Sequence, residues 1–341
     1  EEPAPVPQAV GSVTLEQEWS TRVGKGHDED FLQLTPVVLG GSLYAVSADG
    51  VLLAIGPATG DERWRKRLDE RVMAGLGGDN RHLYLVNDDA EIIALDRADG
   101  EPVWRARLPN EALAEPRSNG NLVVVQTIDG RVLAFNALDG ERRWQYEATT
   151  PALSFRASAP PVVGGEMILA SFANGRLVAL SAENGQALWQ YAVGEPSGRT
   201  ELERLAGYQG KLALLDLQGG QEIWSRSTST FHSPALGRDR VFVAMVNGDM
   251  VALDGSTLER IWTQDQLGWR RLSAPLAVGD YVLVGDYEGY IHLLSQQDGS
   301  FEGQLQVDKS GLRSPFLVWE DKIIVYGNGG RLGVYSLRER D

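Results

Sequence analysis

Four residues at fixed spacing constrain this chain more than any other feature: a Gly, an Ala four residues on, a second Gly at plus ten and a Trp at plus fourteen. The set is clearest at Gly130, Ala134, Gly140 and Trp144, and it returns as Gly50/Ala54/Gly60/Trp64 and Gly175/Ala179/Gly185/Trp189. Ala94/Gly100/Trp104 repeats it with Ala90 in the first Gly position. Weaker copies are Gly210/Leu214/Gly220/Trp224 and Gly248/Ala252/Leu258/Trp262. Gly289/Leu293/Gly299 has Gly303 where the Trp should be, and Gly330/Val334 ends before its Trp. Eight copies thus begin at 50, 90, 130, 175, 210, 248, 289 and 330. A period near forty with constant internal spacing is a repeat architecture.

Each copy carries the material of a small sheet. Val132 to Phe135 and Arg143 to Tyr146 are β-prone runs, and the intervening Asn-Ala-Leu-Asp-Gly is hairpin chemistry, with Gly140 free to take the left-handed conformation. Upstream lie Leu122 to Gln126 and a short apolar run usually opened by Pro, as in Pro36-Val37-Val38 and Pro161-Val162-Val163. Four strands per copy make one propeller blade, and eight copies predict an all-β, eight-bladed β-propeller of antiparallel blades over residues 13–341. The Trp residues (Trp64, Trp104, Trp144, Trp189, Trp224 and Trp262) are expected to wedge between blades, each lying over the small Ala of an adjacent copy. The eighth copy lacks an outer strand, and Trp19 is an orphan Trp at the other end of the chain. Pairing the strand around Trp19 with the blade that ends at Leu337 would complete that blade and remove two open edges.

Composition narrows the partners. The 32 basic and 47 acidic residues give a net charge of −15, which disfavours nucleic acid and anionic lipid surfaces. No apolar run has the length of a membrane span. No signal-like segment opens the sequence, which leaves a cytosolic protein or a mature form as alternatives. The absence of Cys excludes disulfides, thiol catalysis and zinc–thiolate sites, and it leaves the compartment open. Residues 1–12 begin Glu-Glu-Pro-Ala-Pro-Val-Pro and read as a flexible tether or as an ordinary frayed terminus.

Loop growth between copies marks candidate recognition segments. From each Trp position to the next copy the intervals are 31, 26, 26, 31, 21, 24, 27 and 27 residues. The long interval after Trp144 brings Leu153, Phe155 and Arg156 together in a connection that should be polar. Apolar anchors beside an Arg are hot-spot composition, and the alternative is that Leu153 and Phe155 fold back on their own blade. Gln266 to Leu272 carries Trp269 outside the repeat position, either as a second recognition loop or as a cap or plug. The short interval from Trp189 to Gly210 leaves no room for two core strands. A segment on the order of 15 residues, two strands and a turn, is therefore expected to be missing from the sequence near 206–208.

Catalytic chemistry is hard to find. His27, His82, His232 and His292 show no metal-ligand spacing, and His82 and His292 fall in predicted strands as structural residues. Asp96, Asp99, Asp139, Asp254 and Asp298 fall in hairpin turns, where a carboxylate serves the turn. Neither a phosphate loop nor a nucleophile triad is supported, so the chain is read as a non-enzyme without cofactor or metal.

The block Ala-Leu-x4-Gly-x3-Trp, as at Ala94 to Trp104 and Ala179 to Trp189, resembles the repeat of pyrroloquinoline-quinone-type propellers. Within that group the chain resembles the BamB family, lipoproteins of the outer-membrane β-barrel assembly machinery in Gram-negative bacteria. The segments that carry the match are Trp19 to Gly24, Pro151 to Pro160, Gly198 to Leu205 and Val284 to Tyr290. The resemblance implies a non-enzymatic scaffold, monomeric in isolation, on the periplasmic face of the outer membrane and held by an N-terminal lipid this sequence does not carry. It implies binding to the periplasmic POTRA domains of BamA, and through them to the rest of the machinery and to unfolded outer-membrane proteins. The family's contact motif falls on Leu153, Ser154, Phe155 and Arg156, with Phe155 in place of a Leu. Glu201, Glu203 and Arg204 are also expected to bind the partner. The family's acidic contact pair, which directly follows that segment, has no assigned residues here because it falls where the sequence is expected to be missing. The rival readings are a quinone-dependent dehydrogenase, whose family uses paired Cys and a calcium-binding set, and a WD-type propeller, whose Gly-His and Trp-Asp marks do not recur.

Overall fold

The structure is a computed structural model that describes residues 2–8, 11–27, 32–148, 159–172, 175–192, 211–230 and 232–339. In the copy around Gly130, the four expected runs are the strands Arg117–Ser118, Leu122–Gln126, Arg131–Asn136 and Arg142–Glu147, antiparallel and hydrogen-bonded in that order. Seven sheets have this plan, and the fifth shows two strands, Lys211–Leu215 and Glu222–Ser227, among the described residues. Eight such sheets in series are the strand plan of an eight-bladed β-propeller. The expected omission near 206–208 lies outside the described residues.

The chain divides into two compact units. The larger comprises Glu29–Gly56 and Asp61–Ser225, the first five blades. Here the middle strands are buried from end to end, as in Ser42–Val46 and Val51–Ile55, because successive side chains alternate between two faces that are both covered. Trp64 packs on Gly100, Trp104 on Gly140, Trp144 on Gly185 and Trp189 on Gly220, each Gly in the hairpin of the next blade. A Cβ placed on Gly140 would lie 2.4 Å from Cε3 of Trp104. The indole N–H of Trp104 donates to Ala137 O at 3.0 Å, that of Trp144 to Ala182 O at 2.8 Å and that of Trp189 to Leu217 O at 2.9 Å. Each acceptor stands three residues before the Gly that receives the ring.

This corrects one expectation. The Ala of the motif does not receive a neighbour's Trp; it is the cross-strand partner of the Trp in its own blade, as in Ala54 with Trp64 and Ala134 with Trp144. A small residue opposite lets the indole lean out of its sheet, and a one-residue register shift follows each of these pairs. The receiver is Gly because only a residue without Cβ combines this close approach with positive φ, +76° at Gly140.

The other unit comprises Glu1–Asp28, Pro57–Gly60 and Arg226–Asp341, with the last three blades. The N-terminal strand Val13–Arg22 pairs with Arg331–Glu339 and completes the eighth blade. Trp19 stands opposite Val334, the register that Trp144 holds with Ala134, and Leu15 stands opposite Leu337. Its indole packs on Gly60 and donates to Pro57 O at 2.8 Å, while Trp262 packs on Gly299 and donates to Gln296 O at 3.0 Å. The missing Trp of the seventh copy has a steric cause. A Cβ at Gly303 would lie 2.5 Å from Val13 O, so the closing strand occupies the space an indole would need. Where the second Gly is replaced by Leu258, the residue still takes positive φ (56°), as does Ala90 (55°) in place of the first.

Gly140→Ala forces both a left-handed alanine and an overlap with Trp104, and it should destabilise the protein by about 3 kcal/mol. Gly120, at φ +90° with nothing near its missing Cβ, isolates the backbone cost, so Gly120→Ala should cost only about 1–2 kcal/mol. Urea unfolding of the two variants beside the parent checks the difference.

Candidate partner-binding surface

Leu153, Ser154, Phe155 and Arg156, and likewise Glu201, Glu203 and Arg204, lie outside the described residues. In chain order, residues 149–158 come between the strand Arg142–Glu147 and the fourth sheet, which begins at Val162–Val163, and residues 193–210 come between the last strand of that sheet, Ala187–Ala192, and Lys211–Leu215.

The residue before the Trp is apolar and exposed in several outer strands: Val103 and Ile261 in blades two and six, 47% and 42% exposed, and Leu188 and Ile223 in blades four and five, 53% and 61% exposed. Leu217, in the hairpin between the last two strands of blade five, is 60% exposed. Single exposed apolar residues on separate strands need no explanation. Tyr191 donates to the Glu222 carboxylate across the outer strands of blades four and five.

In the loop of residues 266–272, Trp269 does not fill a gap between strands; it is 42% exposed, and it is Leu267, Arg270 and Leu272 that are buried. Trp269 and Arg271 flank Arg270 at φ 60° and 49°, a costly backbone for residues with side chains. Arg270, 1% exposed, donates from Nε to Asp286 Oδ2 at 2.8 Å and from Nη2 to Asp286 and Glu288, and its guanidinium lies over the Tyr287 ring at 5.3 Å. His292 Nε2 meets the same Asp286 oxygen at 2.8 Å, and the N–H groups of Glu288 and Tyr290 donate to the other. Burial works to raise the Asp286 carboxyl, but the bonds from His292, the backbone and Arg270 outweigh it and hold it below the ordinary aspartate range. Burial likewise opposes the Arg270 charge and is outweighed by Glu288 and Asp286. Nothing in the repeat pattern signals this cluster; its only trace in the sequence is the Arg pair after an off-register Trp.

The remaining polar residues serve the scaffold. His82 Nδ1 meets Ala137 O at 2.9 Å in a buried strand, and the hairpin aspartates cap their own turns, as Asp139 does with the Glu141 N–H at 2.9 Å. Asp79 is held below the ordinary range because bonds from Tyr84, His82, Arg81 and Ser118 overcome the burial that would raise it. The chain has no Cys for the paired-Cys element of a quinone-dependent dehydrogenase, and among the described residues no three His, Asp or Glu side chains group as metal ligands.

Comparison with known proteins gives consistent results. A family model described as outer membrane protein assembly factor BamB matches residues 48–210 and 205–341. The outer membrane protein assembly factor BamB of Marinobacter adhaerens is 58% identical over 358 aligned positions, which cover 100% of this chain and 92% of that protein. The crystal structure of BamB from Moraxella catarrhalis superposes with a TM-score of 0.85 at 25% identity, covering 95% of this chain and 100% of that one. The quinohemoprotein alcohol dehydrogenase of Comamonas testosteroni superposes with a TM-score of 0.74 over 94% of this chain and 76% of its own, at 14% identity, which shows the fold alone.

Because Asp286 and Asp79 have lowered carboxyl pKa values in the fold, the stability they contribute is present above the ordinary aspartate value and is lost as pH falls below it. Asp286→Asn leaves buried Arg270 short of a charge partner and should cost about 3–5 kcal/mol at neutral pH. The variant should then lose less further stability than the parent between about pH 5 and about pH 3, read as urea midpoints. An acid loss as steep as the parent's would remove Asp286 from the titrating set.

Proposed function

The chain belongs to the BamB family of outer-membrane protein assembly factors, a family of accessory proteins and not of enzymes, and from that premise we propose that it docks on BamA. It acts as a rigid adaptor that holds the periplasmic POTRA domains of BamA through the segment 153–156 and assists the folding and insertion of outer-membrane proteins. The observation that carries this reading is the Leu153-Ser154-Phe155-Arg156 sequence in the connection that precedes blade four in the chain. Leu153 and Phe155 supply buried apolar anchors, and Arg156 supplies a fork for a partner carboxylate. Glu201, Glu203 and Arg204, in the connection that follows the fourth blade in the chain, add polar contacts at the rim of the interface. The native protein is held at the periplasmic face of the outer membrane by an N-terminal lipid.

A second proposal concerns the fifth blade. The Ala-equivalent position is fully buried at Ala54, Ala134, Ala179 and Ala252, yet Leu214 in the fifth copy is 43% exposed. Two further strands would cover it. The family-model matches also break at 205–210, and the Marinobacter alignment is longer than the chain's 341 residues. We infer that a segment is absent from this sequence near 206–208. Tryptic mapping of the protein made from its gene should then give no peptide running directly from Leu205 to Lys211, and finding that peptide would refute the inference.

Arg156→Glu should weaken binding to purified BamA POTRA domains at least tenfold, about 1.4 kcal/mol or more, with an unchanged thermal midpoint. Unaltered affinity in a fluorescence titration would remove the segment from the interface.

A further inference from the structure

The Arg270 cluster has one donor that its carboxylates leave over, and that donor meets the chain's own N-terminus. Arg270 Nη1 donates to Ala4 O at 2.7 Å, and the Ala4 N–H donates to Gly268 O at 2.8 Å. A single loop thus takes both main-chain groups of one residue, as a neighbouring strand would. Pro7, three residues on, is buried. The flexible tether expected over residues 1–12 therefore has a fixed point at Ala4.

We propose that Gly268 and Arg270 form a clamp for an extended, proline-flanked peptide, filled in this chain by its own residues 3–7. Three observations support this. First, Arg270 is set before the peptide arrives: Asp286 and Glu288 hold Nε and Nη2, and Tyr287 lies against the guanidinium face, so Nη1 is aimed at little cost in side-chain freedom. Second, the backbone around it is held at positive φ on both sides, which puts a Gly268 acceptor and an Arg270 donor two residues apart on one surface. Strained residues of this kind persist where the surrounding structure over-determines them, and they cluster at ligand clamps. Third, the occupant suits the clamp. In Pro3-Ala4-Pro5-Val6-Pro7 the alternate prolines remove main-chain N–H groups and favour an extended chain, and Ala4 supplies the one donor between Pro3 and Pro5.

The recognition is of main chain, so no large side chain is needed at the clamped position and prolines on either side lower the ordering cost. A segment of another polypeptide with this character would compete with residues 3–7. The clamp uses no residue of the 149–158 segment and does not depend on how that segment binds.

The absence of Cys makes the test clean, because Glu2→Cys accepts a single nitroxide in the full-length chain. Ala4→Pro removes the N–H that Gly268 accepts and leaves the Arg270 cluster untouched. The nitroxide spectrum should show an immobilised label in the Glu2→Cys chain and a mobile one when Ala4→Pro is added. A fluorescent peptide of sequence Glu1 to Gln8 should bind the full-length Ala4→Pro chain about tenfold more tightly than the parent, since one lost hydrogen bond weakens the internal competitor by that factor. The same peptide with Pro at position 4 should bind about tenfold more weakly. Equal label mobility with and without Ala4→Pro, or no saturable binding of the peptide to the Ala4→Pro chain, would overturn the proposal.

Discussion

An indole packed on a glycine of the following hairpin, its N–H bonded to a carbonyl three residues before that glycine, joins one blade to the next at Trp104, Trp144, Trp189 and Trp262. The ring buries a large apolar area, and the hydrogen bond satisfies its polar edge, so neither half of the contact works without the other. Each blade buries its faces only through its neighbours, and the contact fixes how neighbours meet. That makes the scaffold a nearest-neighbour system, with a closing strand in place of capping repeats. Trp19 makes the same contact with Gly60 and Pro57, so the strand that completes the last blade is held by the rule that holds the others.

Rigid joints leave the connections free for recognition. The hairpins carry the inter-blade contacts and cannot vary without breaking them, whereas the segments between blades are under no such constraint. In chain order residues 149–158 precede the fourth sheet and residues 193–210 follow it, and the loop of residues 266–272 holds a buried ion cluster ahead of the seventh. The fold is shared with a quinohemoprotein alcohol dehydrogenase at 14% identity, a likeness of fold that carries no function with it.

Spacing made the strands legible. Ala134 to Trp144 fixes a hairpin, its turn and its register, and the same arithmetic identified Trp19 as the missing outer strand of the last blade. Which residue receives the indole was not legible, because Ala and Gly are both small and only the lean of the ring out of its sheet separates own-blade partner from neighbour. The loss of the Trp at Gly303 was visible as an exception, but its cause, the backbone of Val13, is remote in sequence. The segment at 153–156 stands out in the sequence by composition alone, apolar residues and an Arg where a connection should be polar, and it lies outside the described residues. The Arg270 cluster was not, since Arg270, Asp286 and His292 are charged or polar residues at no recurring interval, and only the fold brings them to one carboxylate. Ala4 had no signal at all, because what is read there is its main chain.

The coupling between blades is tested most directly by a double-mutant cycle on Trp144 and Gly185, where a Cβ would lie 2.5 Å from the ring. If the glycine exists to receive the indole, Gly185→Ala should cost about 3 kcal/mol in the parent and only about 1 kcal/mol, the left-handed backbone alone, in the Trp144→Ala background. Costs that add to within about 0.5 kcal/mol would contradict the account, because the ring and the glycine would then contribute independently.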